Sequence, residues 1–168
     1  MTTLEYLNAT TEDAFVTEIG FAFEDSPWIA RAAAARRPFS DVASLHAALV
    51  AVVSKAPRET QVALIAAHPD LAGPVAREGR LTASSRSEQA AAGLGRLTKG
   101  EIARFDLDNA SYRARFGFPF VICARLHDKT SILAELERRS KNERSEEIAT
   151  ALREIAKIAR LRLEEVIR

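Results

Sequence analysis

Apolar residues recur every three or four positions along most of the chain, which is the spacing of one face of an α-helix. Small polar residues and prolines stand at the breaks between these segments, where they favour helix starts. The pattern therefore predicts about eight helices. Their expected starts are Thr10 or Thr11, Ser26 followed by Pro27, Ser40 or Asp41, Pro57 or Arg58, Ser85, Thr98, Thr130 and Ser145.

The segment 117–124 departs from this pattern. It is apolar and aromatic, it is broken by Gly117 and Pro119, and β-branched residues follow. We expect a buried extended segment between two helices, whose backbone N–H and C=O groups need partners that no helix supplies. Either neighbouring side chains satisfy these groups, with Asn109 as the first candidate, or the groups are offered to a polar ligand.

Composition favours a helical protein. The 168 residues include 31 Ala and 16 Leu, both strong helix formers, but only 7 Gly and 6 Pro. A chain of this length corresponds to one domain. The sequence therefore predicts a single all-α domain that spans residues 1–168.

The charges almost cancel, with 24 Lys and Arg against 23 Asp and Glu. This balance argues against a nucleic-acid partner, which normally requires a basic excess. No apolar run approaches the roughly 20 residues of a membrane span, and the first residues lack the pattern of a secretory signal. We therefore expect no membrane association and a cytoplasmic location.

Little in the sequence is suited to a metal or a cofactor. The chain has one cysteine and three histidines, too few for the usual Cys or His clusters. No phosphate-binding loop, zinc-protease motif or nucleophile elbow occurs. Neither a metal nor a cofactor is predicted.

The tripeptide His68-Pro69-Asp70 follows a predicted helix. Because Pro69 disfavours the α region for the residue before it, His68 lies at a defined helix end. A helix C-terminus stabilises a protonated imidazole, which is a proton donor near neutral pH. His68 is accordingly either a C-capping histidine or an acid–base group.

Ser85 and Glu88 have the spacing of a capping box, and Gln89 follows them. The capping interpretation explains the first two residues without any ligand. A helix N-terminus also presents backbone donors and an acid to a polar substrate, so a ligand-binding interpretation stays open.

Arg162 has an unusual position on the last predicted helix. At about 100° per residue it falls in the middle of an apolar stripe, whereas the other charges, Glu154 among them, fall on the flanks or the far side. A charge that faces a core needs a partner. Arg162 therefore forms either an internal salt bridge or a guanidinium site for an anionic ligand.

Four motifs occur in one order, and together they resemble a known family. They are HPDLAG at 68–73, SxxEQAxAGL at 85–94, NxxYxxRFGFPFVICA at 109–124 and EIAKIARLRL at 154–163. Ser26-Pro27-Trp28 near the N-terminus is similar as well. Over essentially the whole chain, the pattern resembles the 2-oxo-4-hydroxy-4-carboxy-5-ureidoimidazoline (OHCU) decarboxylase family.

This resemblance implies an all-α homodimer that works without metal or organic cofactor. The implied reaction is loss of CO2 from the ureidoimidazoline to give (S)-allantoin in urate degradation. His68 matches the catalytic histidine of the family and Glu88 its catalytic glutamate, while Asp108 replaces a leucine that is usual there. The implied substrate-binding residues are Pro69, Ser85, Gln89, Phe120, Val121, Ile122, Cys123, Ala124 and Arg162.

Two non-enzymatic alternatives fit parts of the sequence. His-Pro-Asp is also the signature of J-domain co-chaperones, but there a strongly basic helix precedes it, whereas residues 61–67 carry no charge. An all-helical ligand-binding regulator would include a basic recognition helix, and none stands out. The decarboxylase is therefore the preferred hypothesis.

Overall fold

The computed structural model describes residues 2–168. Within that range lie ten α-helices and two 3-10 turns, and the only extended pairing is an isolated bridge between Thr2 and Ile167. The predicted all-α fold is thus confirmed. None of the helices described is both long and apolar enough to cross a membrane. The helices are α1 Leu4–Ala9, α2 Glu12–Ile19, α3 Trp28–Ala34, α4 Val42–Lys55, α5 Arg58–Ala66, α6 Pro74–Arg77, α7 Ala83–Ala91, α8 Lys99–Phe116, α9 Lys129–Arg139 and α10 Arg144–Val166; the 3-10 turns are Gly20–Ala22 and Ala124–Leu126.

The chain forms two compact units. The terminal unit comprises Met1–Ala67 with Ala156–Arg168, and the central unit comprises His68–Ile155. Helix α10 begins in the central unit and ends in the terminal unit. The expectation of one domain over residues 1–168 stays a prediction.

Each unit has its own apolar core. In the terminal unit α3 packs against α2 and α4, and Phe15 and Leu45 are fully buried. In the central unit α8 packs against α9, and the ring centroid of Tyr112 lies 4.5 Å from that of Phe116 and 5.4 Å from that of Phe120. Full burial of one such side chain contributes about 1.5–3 kcal/mol.

Several helices begin and end where their local sequence predicts. Thr11 accepts a hydrogen bond from the N–H of Ala14 at the start of α2, at 3.2 Å. Thr98 and Glu101 form the predicted capping box of α8. This helix ends at Gly117, whose φ of +80° lies in the left-handed region that glycine adopts without a Cβ penalty. These boundaries are decided by residues within one turn of the helix end.

The predicted start of α7 is wrong. The helix begins at Ala83, because the side chain of Thr82 is its N-cap and accepts a hydrogen bond from the N–H of Ser85 at 3.2 Å. Ser85 and Glu88 therefore lie inside the helix and do not form a capping box. Thr82 and Ser85 are both of residue types that cap helices, so the local sequence did not decide which of them begins α7.

Other helix starts differ less. Asp128 rather than Thr130 caps α9, and α3 follows Pro27 without a side-chain cap from Ser26. Helices α1 and α6 were not predicted, because segments of 6 and 4 residues are too short to show a helical period.

A buried ion pair joins α9 to α10 within the central unit. The side chains of Arg139 and Glu147 are 1% and 0% exposed, and Nη2 of Arg139 lies 2.9 Å from Oε2 of Glu147. The hydroxyl of Tyr112 and the amide of Asn142 also donate to this carboxylate. Burial, together with the hydrogen bond to Glu147, raises the pKa of Tyr112 well above its usual range, which keeps the hydroxyl a donor. Two charges taken out of water are tolerated only when they are paired in this way.

Replacing Glu147 with Ala should destabilise the protein by about 3–5 kcal/mol, because Arg139 would stay buried without its carboxylate. The neighbouring Glu146 is exposed, so Glu146→Ala should change the free energy of unfolding by less than about 0.5 kcal/mol. Urea denaturation of both variants measures the difference, and equal stabilities would contradict the importance of the pair.

Candidate active site

The HPDLAG motif forms a loop at the start of the central unit. His68 is 6% exposed and follows the end of α5 by two residues, with Pro69 preventing further helix. A Cβ at Gly73 would lie 2.8 Å from Cβ of Asp70, closer than real Cβ atoms approach. Glycine at 73 is thus required by this loop geometry.

Side chains from α7 and α8 hold the loop. Oε1 of Gln89 accepts a hydrogen bond from the N–H of Ala72 at 3.0 Å, and Arg113 forms an ion pair with Asp70 at 2.9 Å. Ala72 has a φ of +53°, which is uncommon for a residue other than glycine and persists only when neighbours enforce it. Side chains of α7 and α8 therefore fix the conformation of the loop that begins with His68.

Asn109 belongs to the same arrangement, and its predicted role is wrong. Its Nδ2 donates to the carbonyl of Leu71 at 2.9 Å, so it binds the HPDLAG loop and not the segment 117–124. Asn109 lies about two turns before the end of α8, beside the loop, whereas the buried segment leaves that helix only at Gly117.

Ser85, Glu88 and Gln89 lie on one face of α7, since positions i, i+3 and i+4 align on a helix. Ser85 and Gln89 are each 5% exposed, and Glu88 is half-buried. Helix α7 also packs against the 3-10 turn Ala124–Leu126. Within the central unit, α7 therefore connects the loop that carries the histidine with the end of the segment 117–124.

The segment 117–124 contains no regular structure up to its last residue. Residues 117–123 lie outside any helix or strand, and Ala124 begins a 3-10 turn. Residues 118–124 are buried, whereas Gly117 is exposed. A stretch of backbone is thus enclosed without a helical or sheet partner.

Two buried charged side chains bind this backbone. Nη1 of Arg139 donates to the carbonyl of Val121 at 2.8 Å, and Oε2 of Glu154 accepts from the N–H of Cys123 at 2.9 Å. The guanidinium of Arg139 also lies over the ring of Phe120, 4.5 Å from its centroid. Side chains therefore satisfy part of the backbone, as one of the two sequence alternatives proposed.

The sequence analysis did not identify Arg139 or Glu154 as residues that bind this backbone. Glu154 was placed among the charges outside the apolar stripe, yet it is only 9% exposed, because α10 buries more of its circumference than that stripe. For Arg139 a signal existed: it continues the i, i+4, i+7 face of Ile132 and Leu136 on α9, and all three are buried.

Arg162, in the terminal unit, is buried as its place on the apolar stripe predicts. Its side chain is 2% exposed and its Nη1 lies 2.9 Å from Oε2 of Glu24, which is 4% exposed. The same nitrogen donates to the carbonyl of Phe21 at 3.1 Å. Arg160, by contrast, pairs with Glu164 near the surface. The structure thus shows the internal salt bridge, and a ligand-binding role of Arg162 stays a prediction.

A cavity of about 320 Å³ lies beside α7 in the central unit. It includes Gln89 but not His68, Ser85 or Glu88, so it is not the predicted catalytic site. Its arginines already bind protein groups, and the rest of its wall is mostly apolar. The lining residues are Ala72, Ala76, Arg77, Leu81, Arg86, Gln89, Ala90, Leu94, Gly95, Leu97 and Ile102.

The candidate site of the central unit offers an imidazole, a carboxylate, a hydroxyl, an amide and a buried backbone segment. Groups of these kinds are chemically able to exchange protons and to form hydrogen bonds with a planar polar ligand. Within residues 2–168, no three His, Cys, Asp or Glu side chains are grouped as a metal ion would require.

The chain is similar to known proteins over almost its whole length. The family model for OHCU decarboxylase matches residues 8–164. The 2-oxo-4-hydroxy-4-carboxy-5-ureidoimidazoline decarboxylase of Amia calva is 40% identical over 164 residues, which are 98% of this chain and 94% of that protein. The protein of the same name from Haloferax volcanii is 41% identical over 163 residues, 97% of this chain and 95% of its own length.

A solved structure has the same fold. The crystal structure of (S)-allantoin synthase matches with a TM-score of 0.81 and 27% identity, over 100% of this chain and 54% of that one. The family model and both relatives cover almost all of the residues described above. The chain therefore belongs to the OHCU decarboxylase family.

Proposed function

We propose that this protein decarboxylates 2-oxo-4-hydroxy-4-carboxy-5-ureidoimidazoline to (S)-allantoin and CO2, a step of urate degradation. The observation that carries the proposal is the match to the OHCU decarboxylase family over residues 8–164, which include His68 and Glu88. No observation favours the co-chaperone or the regulator.

The substrate supplies its own electron sink. The carboxylate leaves from a ring carbon next to a C=N bond, so the electron pair of the breaking C–C bond passes into the ring while CO2 departs. A proton is then added to one face of the ring, which sets the S configuration. The protein has to bind a planar anionic ring, hold the carboxylate out of its plane and deliver that proton.

We assign the acid–base role to His68 and a second catalytic role to Glu88. His68 is enclosed at a helix end by a loop that other side chains hold, and such fixed geometry favours proton transfer. Glu88 either hydrogen-bonds the ring or crowds the departing carboxylate.

The remaining contacts are assigned to binding. Ser85 and Gln89 share the face of α7 that carries Glu88, and Oε1 of Gln89 is used by Ala72, so its Nε2 is the group we assign to the substrate. Pro69 forms part of the pocket wall. The segment Phe120, Val121, Ile122, Cys123 and Ala124 offers backbone groups to the ring and its ureido substituent, and Arg162 binds the substrate anion.

The family resemblance also supports proposals about oligomeric state, cofactors and cellular location. We propose a homodimer that needs neither a metal nor an organic cofactor. We place the reaction in the cytoplasm, where the single thiol, buried at Cys123, stays reduced.

The purified protein should accelerate CO2 release from freshly oxidised urate and yield a single enantiomer of allantoin, because protonation on the enzyme occurs at one ring face. Circular dichroism of the product measures its handedness. Racemic allantoin formed at the uncatalysed rate would refute the proposed function.

His68→Ala should lower kcat by about 10²–10⁴-fold, the usual contribution of general acid–base catalysis, while the far-UV circular dichroism stays that of wild type. His127→Ala is the matched control, since that ring hydrogen-bonds Ser131 at 2.7 Å and has no assigned role in the reaction. A collapsed spectrum for His68→Ala would indicate a structural histidine instead.

Arg162→Ala should weaken binding of the substrate or of (S)-allantoin by roughly 10- to 100-fold, since hydrogen bonds to charged groups contribute about 1.5–3 kcal/mol. Arg160→Ala, which removes only a surface pair, should leave binding almost unchanged. Arg162→Lys keeps a charge beside Glu24 but loses the planar fork, so it separates ligand binding from stability. Equal dissociation constants for the Arg162 and Arg160 variants in calorimetric titrations would disprove the assignment.

A further inference from the structure

Ile122 lies between two peptide units that buried charges hold. The carbonyl of Val121 and the N–H of Ile122 belong to one planar trans unit and point in opposite directions. Arg139 binds that carbonyl at 2.8 Å. The next unit contains the carbonyl of Ile122 and the N–H of Cys123, and Glu154 binds this N–H at 2.9 Å. In each peptide unit, the polar group away from the charged side chain belongs to Ile122. It is the N–H in the first unit and the C=O in the second.

These two groups form no hydrogen bond with another residue in the range 2–168, although Ile122 is only 4% exposed. Buried backbone donors and acceptors are normally paired, because leaving such a group without a hydrogen bond costs free energy. A polar ligand that binds both groups of Ile122 would recover that cost.

The signs of the two charges strengthen this donor and this acceptor. A guanidinium at the carbonyl of Val121 draws electron density through its peptide unit, so the N–H of Ile122 becomes a better donor. A carboxylate at the N–H of Cys123 has the opposite effect, so the carbonyl of Ile122 becomes a better acceptor. Hydrogen bonds in series polarise one another by roughly 10–30%.

We propose that Arg139 and Glu154 are positioning residues that orient and polarise Ile122 to bind an edge of the substrate with adjacent N–H and C=O groups. The donor and acceptor of Ile122 flank one Cα, and a planar cyclic amide or a urea offers the complementary pair. The inference rests on the proposed function and adds the residues that keep the backbone contact rigid.

Glu154 is the better residue to test. Arg139 also binds the buried Glu147 at 2.9 Å, so its replacement affects folding as well as Val121. Glu154→Gln has the same shape and keeps an oxygen acceptor for Cys123, but it loses the charge, and charge-assisted hydrogen bonds are about twice as strong as neutral ones.

Glu154→Gln should raise KM and the dissociation constant for (S)-allantoin by roughly 3- to 10-fold, with kcat within about twofold of wild type. The effect falls on KM because the contact is made with substrate and transition state alike. Glu154→Ala should raise KM further, and Glu146→Ala, on the exposed side of α10, should have wild-type constants.

A spectroscopic measurement separates positioning from stability. Addition of (S)-allantoin should shift the ¹⁵N–¹H amide signal of Ile122 in wild type, and this shift should be smaller in Glu154→Gln. An unchanged KM and an unchanged Ile122 shift in folded Glu154→Gln would overturn the inference. A variant that loses kcat and thermal stability without a change in KM would overturn it as well, since Glu154 would then be structural.

Failure of the proposed function gives a different result. If wild-type protein neither decarboxylates the ureidoimidazoline nor binds (S)-allantoin, the function is refuted and the inference with it. If wild type does both and only the Glu154 variants behave as the control, the function stands and the positioning role falls.

Discussion

Backbone polar groups that leave water need partners, and in this protein a buried segment between α8 and α9 meets that requirement with charged side chains. Arg139 and Glu154 bind the backbone on either side of Ile122. A buried arginine needs a carboxylate in turn, which Glu147 supplies. One hydrogen-bonded network therefore links the non-helical segment to α9 and α10, and through Tyr112 to α8.

The same constraint governs the loop at 68–73. Its N–H and C=O groups are bound by the amides of Gln89 and Asn109, and its backbone takes a positive φ at Ala72 that those contacts maintain. The candidate imidazole and the candidate backbone contacts thus belong to irregular segments held by side chains of regular helices. Such an arrangement keeps polar groups fixed, which suits a reaction in which the substrate carries its own electron sink.

The sequence identified the candidate site residues but not all of their partners. The motif residues could be selected in advance, because a histidine before proline and an arginine on an apolar stripe are unusual in any helical chain. The role of Gln89 in holding Ala72 was not evident, since nothing in the local sequence pairs a helix amide with a loop N–H. Asn109 was given the wrong partner for the same reason.

Helix identity, several caps and the burial of Arg162 were decided by the sequence alone, because they depend on spacing within one or two turns. The partners of the buried charges were decided only by the tertiary structure. Arg162 finds the carbonyl of Phe21 at a separation of 141 residues and a carboxylate at Glu24, and Glu154 finds the N–H of Cys123 across a separation of 31. Periodicity shows which side of a helix is buried, but the identity of the group that meets it depends on how the helices pack.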